Sequence, residues 1–201
     1  DWPAIGCDPF AFPLARLWEL GQYNARNPGT PIDAVVLDIK PPEPADLPTL
    51  FDFLECARVL LAEAGVPTAS SMRPYWHDPV EWNGVTAPGY GHIIDMPLRN
   101  VVVTGYADRA GGSCPDDGLV CQNTHELEYA SKRGKDGFVL AGLQTTDCSP
   151  KCGPPDATFY EEGFDVMDRE AQLASAALSV HPAFGGFAIH RLDAEYLGEN
   201  W

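Results

Sequence analysis

The chain has 201 residues, 45% of them hydrophobic, enough to bury a core, and a single domain spanning 1–201 is expected. Thirteen basic against 29 acidic residues give a formal charge of −16, which excludes nucleic acid as a partner because phosphate contacts need clustered Lys and Arg. No stretch approaches the ~20 apolar residues of a membrane span, so no membrane insertion is expected, and no signal peptide is read; a first residue Asp1 in place of Met is expected of a processed or truncated chain.

Leu14, Leu17, Trp18 and Leu20 have helical spacing over 14–24, closed by the Asn27-Pro28-Gly29 breaker. Residues 34–39 form a near-continuous apolar strand, the pattern of a parallel sheet covered on both faces. It delivers Asp38 and Lys40 to the start of a loop, and i and i+2 share one face of a strand, so a mutual ion pair is the plain structural reading. The clearest helix is 48–64, with Leu50, Phe53, Leu54, Ala57, Leu60 and Leu61 in one stripe and Gly65 as its C-terminal stop.

A second strand covers 66–72, followed by a long irregular loop, 75–91. A third strand runs over 101–106. Asn123-Thr124-His125-Glu126 has the arrangement of a capping box opening a helix that stops near Gly134. A fourth strand covers 138–143, a helix 159–178, a fifth strand 186–189, and the tail 192–201 is expected to be helical. Alternating strands and helices imply right-handed βαβ units on a parallel sheet, and no Gly-rich phosphate turn follows any strand.

Four of the six cysteines sit in two Gly/Pro/Asp-rich loops, as Cys114-x6-Cys121 and Cys148-x3-Cys152. Neither spacing is that of a usual zinc knuckle, and disulfides are the expected state, which implies a secreted, extracellular protein. Cys56 lies in an apolar helix, either as a buried thiol or as the partner of Cys7. The five histidines show no metal-ligand spacing; no metal and no cofactor is expected.

Four segments, in order, carry a resemblance. Asp33-Ala-Val-Val-Leu-Asp38-Ile-Lys40-Pro41 resembles the fourth strand of chitinase-like, family 18 type glycoside hydrolases and their bacterial relatives, which reads D-G-x-D-x-D-x-E or L-D-V-E-P. Val101-Val-Val-Thr-Gly-Tyr106-Ala-Asp108 resembles the sixth-strand M-x-Y-D segment, Phe138-Val-Leu-Ala-Gly-Leu-Gln144-Thr a seventh strand reading G-V-E-T, and Phe184-Gly-Gly-Phe-Ala-Ile-His190-Arg-Leu-Asp193 the eighth. The resemblance implies a partial (β/α)8 TIM barrel, strands four to eight with their helices. An open parallel α/β sandwich is the alternative. Strands one to three, roughly 80 to 100 residues, are absent on this reading, and another polypeptide is expected to complete or cover the barrel, since unpaired inner edges leave its core open.

The resemblance also places the family acid on Lys40 and the seventh-strand carboxylate on Gln144. An ammonium is a poor acid near neutral pH and an amide is none, so family-type hydrolysis is not expected. A degenerate glycosidase barrel that binds glycan, or serves as a structural subunit of an extracellular assembly, is the first reading. An active hydrolase with relocated carboxylates is the second, with Asp38, Glu43, Asp108 and Asp193 as candidates. Candidate ligand-binding residues are Asp38, Lys40, Tyr106, Asp108, Gln144 and His190 at strand ends, with Asp147 beyond them. Tyr75, Trp76, Trp82 and Tyr90 in the 75–91 loop are placed either to stack on sugar faces or to anchor the loop. Glu161 and Glu162 are expected in the first turn of the last long helix, as structural acids.

Overall fold

A computed structural model describes residues 7–41, 43–112, 114, 117–147 and 155–191. Its helices are α1 (Ala11–Arg26), α2 (Leu47–Glu63), α3 (Gly89–Asp95), α4 (Leu119–Lys132) and α5 (Phe164–Leu178). Its strands are β1 (Val35–Leu37), β2 (Thr68–Met72), β3 (Pro79–Trp82), β4 (Val85–Pro88), β5 (Val101–Val103), β6 (Val139–Gln144) and β7 (Phe184–His190). One sheet, mostly parallel, has the order β1-β2-β5-β6-β7, and β3 and β4 form an antiparallel pair. This is the α/β class that strand–helix alternation predicts. Among the described residues the sheet has two ends, β1 and β7, and no closed barrel is formed. The chain divides into two compact units, Asp1–Val101 and Val102–Trp201, with the division inside β5.

In the first unit, α2 presents Leu50, Phe51, Leu54, Ala57 and Leu61 to a core shared with Leu14, Ala69, Met72 and Ile93, all buried. The helix stops where Gly65 turns to φ +70°. There Val66 N–H reaches back to Leu61 O (2.9 Å) and Gly65 N–H to Ala62 O (3.0 Å), the two bonds of a Schellman ending. The disulfide Cys7–Cys56 ties the entry of α1 to α2. Strand β1 departs from expectation. It is three residues long, and Val36 is 54% exposed, so the face of β1 on which it stands is open to solvent and the strand is not covered on both faces.

The 75–91 loop is also corrected. It is a hairpin followed by α3: Pro79 to Trp82 pair with Val85 to Pro88 across Asn83 (φ +51°) and Gly84 (φ +75°). Two successive positive φ angles make a turn whose twist matches the flanking strands, and Asn-Gly is the dipeptide that adopts it most readily.

In the second unit, α4 and α5 pack on β6 and β7 through Leu119, Leu127, Ala130, Val139, Ala141, Met167, Ala174 and Leu178, all buried. Helix α4 begins at Leu119, four residues before the expected capping box. Its first amides are satisfied by loop carbonyls, Leu119 N–H to Arg109 O (3.0 Å) and Val120 N–H to Ala110 O (2.9 Å), so no side-chain cap is needed. Asn123 and Thr124 lie inside the helix and donate to Leu119 O and Val120 O. Helix α5 begins five residues later than expected, behind Gly163 at φ +79°, which leaves Glu161 and Glu162 in the preceding turn. The disulfide Cys114–Cys121 joins the loop to α4. Cys148, Cys152, Asp193 and the tail 192–201 lie outside the described residues.

Candidate functional site

The end of β1 carries the first cluster. Lys40 Nζ lies 2.9 Å from Asp38 Oδ1, and Ser71 Oγ, from the buried end of β2, donates to the same carboxylate oxygen. The parallel register pairs Leu37 with Ser70, so each following residue, Asp38 and Ser71, projects from the same step of the ladder. Ser70 completes the seam, its hydroxyl reaching Leu37 O (3.4 Å) and Ser71 O (3.0 Å). The ion pair is the plain outcome anticipated for i, i+2 on one strand face. Ser71 was not among the candidates; its signal is a Ser-Ser pair inside the fully buried strand Thr68–Met72. Glu43, in the same unit, is exposed, and its carbonyl accepts from Asp46 N–H (3.0 Å) at the entry to a 3-10 turn.

Of the four loop aromatics, Trp82 lies in the hairpin, Tyr90 in α3, and Tyr75 and Trp76 precede both. Trp76 is buried. Trp82 stands edge-on to Phe51 (5.5 Å between centroids) and His92 (5.7 Å), and its indole N–H donates to Asp52 Oδ1 at 2.8 Å. Tyr90 meets His77 edge-on at 5.5 Å. Tyr75 is 68% exposed, while Trp82 and Tyr90 are half-buried.

In the second unit, Gln144 ends β6 and His190 ends β7, and the register pairs them directly. That pairing depends on a bulge. Val139 pairs with Phe184 but Ala141 with Phe187, so β7 carries one extra residue at Gly185-Gly186, where Gly186 adopts φ +109°. Without it, Ile189 would stand opposite Gln144 and His190 would project from the other face. His190 Nδ1 and Gln144 Oε1 are 2.7 Å apart; with the amide oxygen accepting, the imidazole carries its proton on Nδ1. Tyr106 stacks on the imidazole at 6.2 Å and 14°. Gly142 makes the room: a Cβ there would lie 2.8 Å from Tyr106 Cε1 and 2.8 Å from Val103 O. Gln144 is 5% exposed, and its carbonyl accepts from Phe159 N–H at 2.9 Å. The second unit therefore assembles three of the expected residues, Tyr106, Gln144 and His190, into one hydrogen-bonded and stacked group.

Asp108 lies beside further acids. Burial pushes its carboxyl above the ordinary aspartate range. Arg109 opposes this, while the charges of Asp156 and Glu170 add to it. Its amide donates to Asp156 O at 3.0 Å. Burial likewise raises Glu162, helped by the charges of Asp108 and Glu161. Glu170 is held low by Ala110 N–H, which donates to Oε2 at 3.0 Å, and by Arg169. Asp147 is exposed. Glu126, expected only as a capping residue, faces the interior of the unit at 1% exposure. Its Oε1 and Asn123 Oδ1 have no hydrogen-bond partner, and burial raises its pKa to about 8. Among the described residues no group of three or more His, Cys, Asp or Glu is arranged to hold a metal ion, and no helix is long and apolar enough to cross a membrane.

No family model matches the sequence, and no curated protein matches it. Two solved structures are similar. A chitinase from Chromobacterium violaceum ATCC 12472 aligns at 15% identity and a TM-score of 0.43, over 66% of this chain and 40% of that one. A class V chitinase from Pseudomonas fluorescens Pf-5 aligns at 19% identity and a TM-score of 0.45, again over 66% and 40%. The chain thus matches about two fifths of the length of either enzyme. Likenesses of this degree decide neither substrate nor chemistry.

Proposed function

We propose that this chain is a secreted, glycosidase-like α/β protein that binds carbohydrate and does not hydrolyse it by the family route. The observation that carries the reading is the Lys40–Asp38 ion pair at 2.9 Å. At the position where the resembling strand presents an acid stands an ammonium already engaged with the neighbouring aspartate. Retaining hydrolysis needs a carboxylic acid to protonate the leaving oxygen. Gln144, hydrogen-bonded to His190, supplies none at the other expected position. What the second unit offers is an exposed imidazole and a half-buried phenol, able to bond sugar hydroxyls, with the buried Gln144 amide holding the imidazole in place. The two disulfides support secretion. The exposed Val36 on end strand β1, with Ile39 just beyond it, supports a further polypeptide covering that edge.

The test pairs calorimetry with product analysis on chitooligosaccharides and β-glucan oligosaccharides. Saturable binding, weakened by Gln144→Ala and without cleavage, is the expected result. Turnover that survives Lys40→Ala would overturn the reading. A second reading, hydrolysis through relocated carboxylates, is favoured by Asp108 and Glu162, both raised by burial, with the charge of Asp108 adding to the rise of Glu162. It requires turnover in the wild type and its loss in Asp108→Asn.

A further inference from the structure

Within the first unit, where α2 hands over to β2, lies a cavity of about 350 Å³ bordered by Arg58 and Arg99. Its apolar lining includes Val66 and Leu98, both buried, with Pro67 beside them. The Gly65 turn carries the chain from α2 to β2, and Arg99 N–H donates to Thr68 O (2.8 Å), which fixes the second wall.

Both guanidinium groups are held in place without being used up. Arg58 gives Nε and Nη2 to Glu55, with Nε 3.0 Å from Oε2. Arg99 gives Nη1 to Asp33 O at 3.0 Å. A guanidinium carries five N–H donors in a rigid fork. Among the described residues, Nη1 of Arg58 and both Nε and Nη2 of Arg99 thus retain donors with no protein acceptor. Thr68 adds an independent sign: the residue lines the cavity, is 4% exposed, and its buried hydroxyl has no hydrogen-bond partner. An unsatisfied buried hydroxyl costs free energy unless a further group meets it.

The local charge selects the ligand class. Two guanidinium groups and the Glu55 carboxylate leave one net positive charge, which suits a monoanion. The Val66–Leu98–Pro67 lining suits an apolar body, and the planar forks suit a carboxylate. We infer that this cavity binds a small organic monocarboxylate, its carboxylate between Arg58 and Arg99 and its hydrocarbon part on the apolar lining. Arg99 supplies the larger share of free donors, and Thr68 stands beside it in the cavity wall. The site uses no residue of the carbohydrate reading and stands independently of it.

The experiment is a titration of the isotope-labelled wild-type chain with sodium hexanoate, against matched sodium chloride, followed by the Arg Nε–H and Thr methyl resonances. Saturable shifts are expected at Arg58, Arg99 and Thr68, and none at Arg133. Arg99→Gln should weaken binding about tenfold or more, since a lost bond to a charged group is worth at least that factor. Arg99→Lys, which keeps the charge but not the fork, should give an intermediate loss. Circular dichroism checks that each variant folds, and the wild-type shifts alone remain decisive where one does not. No saturable shift at these three residues, or equal binding by Arg99→Gln, overturns the site. Saturation by inorganic phosphate in place of hexanoate overturns the monocarboxylate assignment.

Discussion

Asp38 in the first unit and Gln144 in the second both stand at strand ends and both meet a side chain from a neighbouring stretch, yet one carries a carboxylate paired with an ammonium and the other an amide paired with an imidazole. Asp38 is half-open to water, where a carboxylate and an ammonium keep their charges at little cost and gain little from pairing. Gln144 is buried; there an amide is satisfied by one imidazole, whereas a carboxylate would have to shed its hydration or its charge. The difference teaches that access to water, more than the motif a strand inherits, decides which polar groups persist at its end. Glu126 is the instructive counterpart in the second unit: a carboxyl buried as deeply as Gln144, and held as the neutral acid.

The largest test of the contrast concerns the crosslinks. Cys7–Cys56 closes 49 residues and Cys114–Cys121 closes 7. Loop-closure entropy assigns about 4 kcal/mol to the first and about 2 kcal/mol to the second. Paired Cys→Ser variants, followed by hydrogen exchange in each unit, should show the larger loss in residues 7–101; equal losses would break the asymmetry.

Next comes Glu126. Its folded pKa is raised, so the native state keeps a proton that the unfolded chain releases. The stabilisation is whole below the ordinary value of 4.5 and declines as pH rises toward about 8. Glu126→Gln should remove that decline and add roughly 3 kcal/mol at pH 7, at 1.36 kcal/mol per unit. Urea midpoints between pH 4 and 9 read it directly. A slope unchanged in the variant would show that Glu126 is already ionised in the native state.

Gly142→Ala should cost about 2 kcal/mol, because the new methyl meets backbone at Val103 O as well as the Tyr106 ring. Loss of the Tyr106–His190 stacking signature in the NMR spectrum would accompany it. The smallest effect belongs to the first unit's ion pair: Lys40→Met should change stability by under about 1 kcal/mol in thermal unfolding. A much larger cost would mean that the Asp38 end is as sensitive to charge as the buried one.

The helices α1 and α2 and the parallel strands were legible because they rest on local periodicity: an apolar stripe on 47–63 needs a single core to face. The hairpin carried its signal too, in Asn83-Gly84, but Pro79, Pro88 and a run of aromatics disguised it as a loop that displays rings. The start of α4 was hidden for a different reason. Gly118 offers no side-chain cap, and the carbonyls of Arg109 and Ala110 that replace one each lie ten residues before the amide they accept from. The Asp38–Lys40 pair followed from strand parity alone. The Gln144–His190 pair did not, because its register rests on a bulge, and a bulge is a property of two strands that neither segment announces by itself.

The β3–β4 hairpin has one more consequence, for engineering. Its tip, Asn83 to Thr86, is exposed, while Trp82, just before the turn, is moored to Asp52 and Pro79 pairs with Pro88 at the base. Such a spur can be lengthened without disturbing the body it is tied to. A reporter peptide or a fluorescent label spliced between Gly84 and Val85 should leave the first unit's stability intact. It would convert a feature that carries no assigned chemistry into the natural handle for immobilising or tracking this protein.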